Sequence, residues 1–204
     1  MSGSMDERLI AWARAVKRRT RNSGPVLWLF TDSSRGGNPL TAAAGLPKGL
    51  CGVVFRHDGA PDRVALGRAL ARICRARRLV LVVAGDVRLA QALGAGMHLR
   101  AGRFAGPQAA NLRHRRPISS SAHTTQDIRR ARIAGADAIF LSPAFPTASH
   151  PGAPALGPAR WAALAGKYLA RGHFLLALGG VTGHTAGALP RLCGGAGAIG
   201  ALGG

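Results

Sequence analysis

The segment LVLVVAGDVRLAQALGAGMHL, residues 79–99, places a strand, a helix and a second strand in one short unit. LVLVV (79–83) is a continuous apolar run rich in β-branched residues, the pattern of a strand covered on both faces. Gly85-Asp86 interrupts it, Val87 to Leu93 has helical spacing, and AGMHL (95–99) returns to strand character. Two such strands joined by a crossover helix specify parallel pairing.

The same alternation extends in both directions. Further strand-like runs are VLWLF (26–30), CGVVF (51–55), PISSSA (117–122), ADAIFL (136–141), FLLALGGV (174–181) and AGAIGAL (196–202). With the two above they make eight. Helical spacing fills most of the gaps: Pro61 to Arg77, with Val64, Leu66, Leu70 and Ile73 toward a core, then Thr124 to Ile133, Pro158 to Arg171 and Gly183 to Cys193, with shorter segments at 38–46 and 107–114. Eight nearly equal units predict a closed TIM (β/α)8 barrel in a single domain, with a doubly wound sheet as the alternative. Gly203-Gly204 follows the eighth strand directly, so no C-terminal eighth helix is expected. An extra amphipathic N-terminal helix, Asp6 to Arg19, with Leu9, Ile10, Ala13 and Val16 on one side, covers either the barrel floor or that gap. The division is therefore residues 1–24, N-terminal helix and basic linker, and residues 25–204, barrel.

Composition narrows the function classes. The 204 residues are 47% hydrophobic, enough for a substantial core. No stretch approaches the roughly 18 uncharged apolar residues of a membrane span, and the N-terminus, MSGSMDERLIAWARAVKRR, has no secretory apolar region, so the expected location is cytoplasmic, with no membrane partner. Cys51, Cys74 and Cys193 are odd in number and far apart, as expected of reduced, buried thiols. The formal charge of +20 invites a nucleic-acid reading. Against it, the basic residues are nearly all arginines scattered over helices, without aromatics gathered beside them for base stacking. Only KRRTR (17–21) is dense, and bases at a helix end complement its dipole. No specific nucleic-acid partner is expected. Homo-oligomerisation is left open.

Chemistry in such barrels sits at the carboxyl ends of the strands. That face collects Thr31-Asp32, Arg56-His57-Asp58, Gly85-Asp86, His98 to Arg100, Ser121, His123, Ser142 to Pro151 and Gly179 to Thr182. The loop LSPAFPTASHPGAPALG (141–157) is long for a strand-to-helix connection, which points to a functional role. Gly179-Gly180 ends the seventh strand, where a barrel commonly binds phosphate, although a tight turn explains the pair equally well.

The order LFTD (29–32), VVFRHDG (53–59), VVAGDVRLAQALGAGMHL (82–99), ISSSAHT (118–124), GADAIFLSPAFPTASHPGAPALG (135–157) and LALGGVTG (176–183) resembles the thiamine phosphate synthase/TenI family over residues 26–202. The resemblance implies condensation of an aminopyrimidine diphosphate with a thiazole phosphate to thiamine phosphate, with Mg²⁺ helping diphosphate leave. It also implies phosphorylated small molecules as partners and a transferase of thiamine biosynthesis. On this resemblance Arg56 binds diphosphate and Asp86 is a magnesium ligand. Ser121, Thr147 and Ser149 supply hydroxyls to the phosphate groups, Gly179 and Gly180 anchor the thiazole phosphate, and His150 stands at the catalytic loop lysine. Arg56 and Ser121 join His150 as the catalytic set.

Several positions depart from the family pattern. Val54 replaces a glutamine, Asp58 a lysine and Gly85 an asparagine; Arg103 falls where the second magnesium carboxylate is expected, and Ala201-Leu202 where Ile-Ser follows the eighth strand. Mg²⁺ relies on one or two carboxylates plus substrate phosphates, so one lost ligand matters. Arg103 can pair with phosphate directly. The catalytic histidine of TenI-type tautomerases aligns with Pro143, which does not support that activity. Each candidate also has a local explanation: Asp86 as a helix N-cap, Arg56 as a partner of Asp58 or Asp86, His98 as a satisfied core residue, and Trp12, Trp28 and Trp161 as packing. His57, His123 and His150 lack the short spacing of zinc ligands. Three function classes follow: a synthase, a family member binding another phosphorylated heterocycle without magnesium, and a basic non-catalytic binding module.

Overall fold

The structure, a computed structural model, describes residues 5–34, 37–103, 116–147, 152, 154–169 and 175–203. Eight parallel strands close in sequence order: β1 (Leu27–Phe30), β2 (Cys51–Phe55), β3 (Val80–Ala84), β4 (Gly96–Leu99), β5 (Ile118–Ala122), β6 (Ala138–Leu141), β7 (Leu175–Leu178) and β8 (Ala196–Ala198). Closure is made by β8 pairing with β1, Ala196 beside Leu27 and Ala198 beside Leu29. The doubly wound alternative is thereby excluded.

Among the described residues the helices are α1 (Glu7–Thr20), α2 (Pro39–Gly45), α3 (Arg63–Arg77), α4 (Val87–Leu93), α5 (Thr125–Ile133), α6 (Gly157–Leu169) and α7 (Gly200–Gly203). No helix among them is long and apolar enough to cross a membrane. Local chemistry accounts for four of their starts: Asp6, Asn38 and Asp86 cap α1, α2 and α4 through their side chains, and Thr124 with Asp127 forms a capping box on α5. A single four-residue turn, α7, follows β8. The helix expected over 183–193 reduces to one 3₁₀ turn, Ala186–Ala188. Thr185 explains the difference, because its hydroxyl accepts from the Thr182 amide at 2.9 Å and donates to the Gly180 carbonyl at 2.8 Å, giving the backbone an alternative to the helical ladder. Pro190, without an amide hydrogen, stops continuation. The segment expected at 107–114 lies outside the described residues.

The barrel interior is filled by complementing large with absent side chains. Trp28, Phe30, Val54, Val82, Ala138, Phe140 and Leu176 form the inner cluster. Phe30 and Phe140 meet edge to face at 4.9 Å, and Trp28 meets Phe140 at 5.7 Å. Two glycines make this possible: a Cβ on Gly52 would sit 2.6 Å from the Trp28 ring, and one on Gly197 would sit 2.5 Å from the Phe30 ring. Outside the strands, the helices bury a second layer that includes Leu70, Leu89, Ile128 and Trp161. The Trp161 indole donates to the Leu141 carbonyl at 3.2 Å, tying α6 to β6. All three cysteines are free and buried, and burial pushes their thiols up to about 12, 12 and 11 for Cys51, Cys74 and Cys193.

Helix α1 runs along the barrel wall rather than under the floor, against the connection between β7 and β8 and the segment that follows β8. Its start is held at the carboxyl ends of the strands, where the Asp6 carboxylate accepts from the Gly183 amide at 2.6 Å and the Asp6 amide donates to Ala201 at 3.2 Å. Its end lies at the opposite rim, where Arg19 donates to the Cys193 carbonyl at 2.9 Å and Lys17 to that of Gly24 at 2.9 Å. Leu9, Ala13 and Val16 are fully buried beneath it. A Cβ at residue 183 would lie 2.2 Å from the Asp6 carboxylate, so glycine is required for this approach. Asp6→Ala removes both the cap and the acceptor, and should lower unfolding free energy in urea by about 2 kcal/mol. An unchanged denaturation midpoint would mean that this corner does not hold α1.

Candidate functional site

Seven charged side chains converge over the carboxyl ends of β1 to β4. Arg56, just after β2, pairs with Asp32, just after β1. Burial by itself would push the Asp32 carboxyl up, but the Ser34 hydroxyl and amide and the Arg56 guanidinium outweigh it and hold it at about 2. The Thr31 hydroxyl accepts from the Arg56 amide at 3.0 Å and shares a 2.9 Å hydrogen bond with His57 Nδ1. His57 is buried against Phe55, and that burial lowers its pKa. The expected partners of Arg56, Asp58 and Asp86, are instead engaged elsewhere.

Arg63 is the residue that sequence reasoning missed. From the first position of α3 it donates to Asp86 Oδ2 at 3.0 Å and to the Ala84 carbonyl at 2.9 Å, and it lies 3.3 Å from Asp58 Oδ1. A base at a helix start opposes the helix dipole, which is the one sequence signal that it serves something outside the helix. Asp86 has its other oxygen, Oδ1, occupied by the Leu89 amide at 2.9 Å. Both carboxylate oxygens therefore have protein partners. Among the described residues no three histidine, cysteine or acidic side chains come together as a metal cluster would require.

Beside this pair lies a cavity of about 460 Å³ lined by Asp58, Gly85, Met97, His98, Leu99, Arg100 and Arg103. Arg100 pairs with Asp58, and Arg103 follows it across a tight turn closed by the Arg103 amide on the Arg100 carbonyl at 3.0 Å. Serines of β5 pin this turn, with Ser120 Oγ accepting from Gly102 at 3.0 Å and Ser121 Oγ from Ala101 at 3.4 Å, while Arg130 Nε donates to the Ala101 carbonyl at 3.0 Å. Residue 102 has a φ of 71°, and a Cβ there would lie 2.4 Å from the Ala131 amide. Below the turn, His98 is buried and shares a 2.8 Å hydrogen bond with Ser119. Burial pushes its imidazole down to about 3, with Arg56 and Arg100 adding to the effect. The ring is neutral at physiological pH and forms part of the barrel interior, edge to face with Phe30 at 5.4 Å.

The loop after β6 is fastened to the end of β7. Ala144 and Phe145 donate to the carbonyls of Leu178 and Gly179 at 2.8 and 3.0 Å. Gly179 and Gly180 have φ of 91° and 65°, and a Cβ on Gly180 would lie 2.3 Å from the Pro146 carbonyl. The glycine pair is thus required by loop packing. Thr147 is half-buried in the same loop, whereas Ser149 and His150 lie outside the described residues. His123 shares a 3.2 Å contact with the Ser142 carbonyl. The site residues fall in two groups: Arg56 and Asp86, with Ser121 beneath the adjoining Arg100–Arg103 turn, over β1 to β5, and Thr147, Gly179 and Gly180 over β6 and β7.

Comparison with known proteins gives a consistent result. The family model described as thiamine monophosphate synthase matches residues 29–199. A thiamine-phosphate synthase of Bacillus licheniformis is 30% identical over 132 residues, covering 60% of this chain and 58% of that protein. A thiamine biosynthesis bifunctional protein of Geobacter sulfurreducens is 32% identical over 143 residues, covering 67% of this chain and 29% of the relative. The matched stretch thus spans less than two thirds of either relative's length. Among solved structures, a thiamine phosphate pyrophosphorylase from Pyrococcus furiosus superposes with a TM-score of 0.69 at 21% identity, covering 88% of this chain and 87% of the other, which speaks for the fold.

Proposed function

We propose, on the premise that the chain belongs to the thiamine monophosphate synthase family, that it joins an aminopyrimidine diphosphate to a thiazole phosphate. The thiazole nitrogen bonds to the pyrimidine methylene, the bond from that methylene to oxygen breaks, and diphosphate leaves with the electron pair. The observation that carries this reading is the gathering of Arg56, Arg63, Arg100 and Arg103 at one end of the barrel, where developing negative charge on diphosphate needs fixed positive groups. In this reading Arg56 binds diphosphate, Thr147, Ser149 and the backbone of Gly179-Gly180 take the thiazole phosphate, Ser121 contacts the diphosphate oxygens, and His150 assists the departing group.

The magnesium that the family implies does not fit the donors present. Asp86 has one oxygen on the Leu89 amide and the other on Arg63, and Arg103 occupies the position of the second carboxylate. This favours a second reading, a family member that binds a phosphorylated heterocycle without turning it over. Growth of a thiamine-requiring bacterium that lacks its own synthase separates the two. The condensation reading expects the wild-type chain to restore growth without thiamine and Arg56→Ala to fail. No growth with the wild type, expressed and folded, counts for the binding reading.

A further inference from the structure

We infer that the cavity between the ends of β3 and β4 is a metal-free diphosphate site in which Arg100 and Arg103 stand where a divalent cation would otherwise neutralise the ligand. The inference rests on the phosphorylated-ligand reading above. Its first support is the occupied state of Asp86, whose two oxygens already have Arg63 and the Leu89 amide as partners. The second is the construction of the turn that carries the arginines. Ser120, Ser121 and Arg130 each fasten it through a backbone atom, and the glycine at its tip lies against α5 with no space for a side chain. A fastened backbone holds both side chains at one mouth, so binding costs only their side-chain freedom, and their hydrogen bonds to phosphate are charge-assisted.

Charge balance at the mouth points the same way. Arg56, Arg63, Arg100 and Arg103 face Asp32, Asp58 and Asp86, and Arg63 serves two of those carboxylates. Arg100 is shared with Asp58 through side chains that are 63% and 43% exposed, an ion pair of little strength in water. An arriving diphosphate can therefore recruit Arg100 while Arg63 keeps Asp58. Guanidinium groups match phosphate oxygens in pairs, whereas the volume of about 460 Å³ accepts more than a lone anion.

Titration calorimetry of the full chain with inorganic pyrophosphate, in excess EDTA and again in Mg²⁺, tests the assignment. Binding is expected in EDTA, with no gain on adding Mg²⁺. Arg100→Ala and Arg103→Ala should each weaken it roughly tenfold, and Arg103→Lys should recover part of the loss. The double variant Arg68→Ala/Arg72→Ala, on the exposed side of α3, removes twice the charge of either single variant elsewhere and should bind as the wild type does. Binding seen only with Mg²⁺, or equal weakening in the α3 variant, overturns the inference. Metal-dependent binding together with restored bacterial growth would reject this site and keep the synthase reading. Binding in EDTA without restored growth would do the reverse.

Discussion

Gly180→Ala is expected to lower the unfolding free energy by roughly 3 kcal/mol, the sum of a left-handed residue gaining a side chain and a contact that cannot be accommodated. The φ of 65° is strained for alanine, and the new Cβ would stand 2.3 Å from the Pro146 carbonyl and 2.8 Å from Phe145 Cβ. Neither neighbour is a flexible side-chain end. Relief requires the loop after β6 to lift away from β7, breaking the Ala144 and Phe145 hydrogen bonds. Loss of phosphate-ligand binding should accompany the loss of stability. Gly166→Ala supplies the contrast, because that helical residue of α6 has open space around its Cβ position, and the substitution should stabilise by about 0.5–1 kcal/mol. Similar urea midpoints for the two variants would contradict the packing described for residues 143–146.

The second large effect is on acid stability and comes from His98. Its folded pKa is about 3 because burial disfavours the imidazolium, while the unfolded chain has the ordinary value of 6.5. Between those values the unfolded state binds the extra proton. The contribution of the neutral ring is therefore complete above 6.5 and is lost as the pH falls toward 3, with a limiting slope of about 1.4 kcal/mol per unit. Urea unfolding at several pH values from about 7 to about 4.5 should show this slope in the wild type, and His98→Gln should remove most of it. His57, also lowered by burial, acts in the same direction but is present in both proteins. Asp32, held at about 2, contributes stability that is present above its unfolded value of 3.8 and is lost only below that range. Parallel pH profiles for the two proteins would show that His98 is hydrated or charged in the fold.

The barrel was legible because strands covered on both faces cannot hide their apolar runs. The helix between β3 and β4 falls on Val87–Leu93, as its spacing predicts, with Asp86 and Gly94 as its caps. Amphipathicity of α1 foretold a buried side but not its partner, since an apolar stripe does not name the surface it covers. That placement depends on Asp6 meeting Gly183, 177 residues away in sequence. The segment at 183–193 was misread because apolar spacing says nothing of the Thr182 and Thr185 hydroxyls that redirect the backbone.

In the site, the strand-end positions of Arg56, Asp86 and Ser121 were readable from order along the chain, whereas ion-pair choice was not. Arg56 takes Asp32 rather than the nearby Asp58, because β1 and β2 bring their ends together. Arg63 could be placed at a helix start but not aimed, as its reach across to Asp86 and Ala84 depends on the β3 end being adjacent. Ser121 is engaged by the turn that carries Arg100 and Arg103, a link between β4 and β5 that no local pattern displays.

The most direct measurement is a chromatographic assay of the purified chain supplied with aminopyrimidine diphosphate and thiazole phosphate. Thiamine phosphate formed by the wild type and absent with Arg56→Ala is the predicted result. No product from the wild type, with pyrophosphate still binding in calorimetry, would contradict the condensation and leave a phosphate-binding barrel in its place.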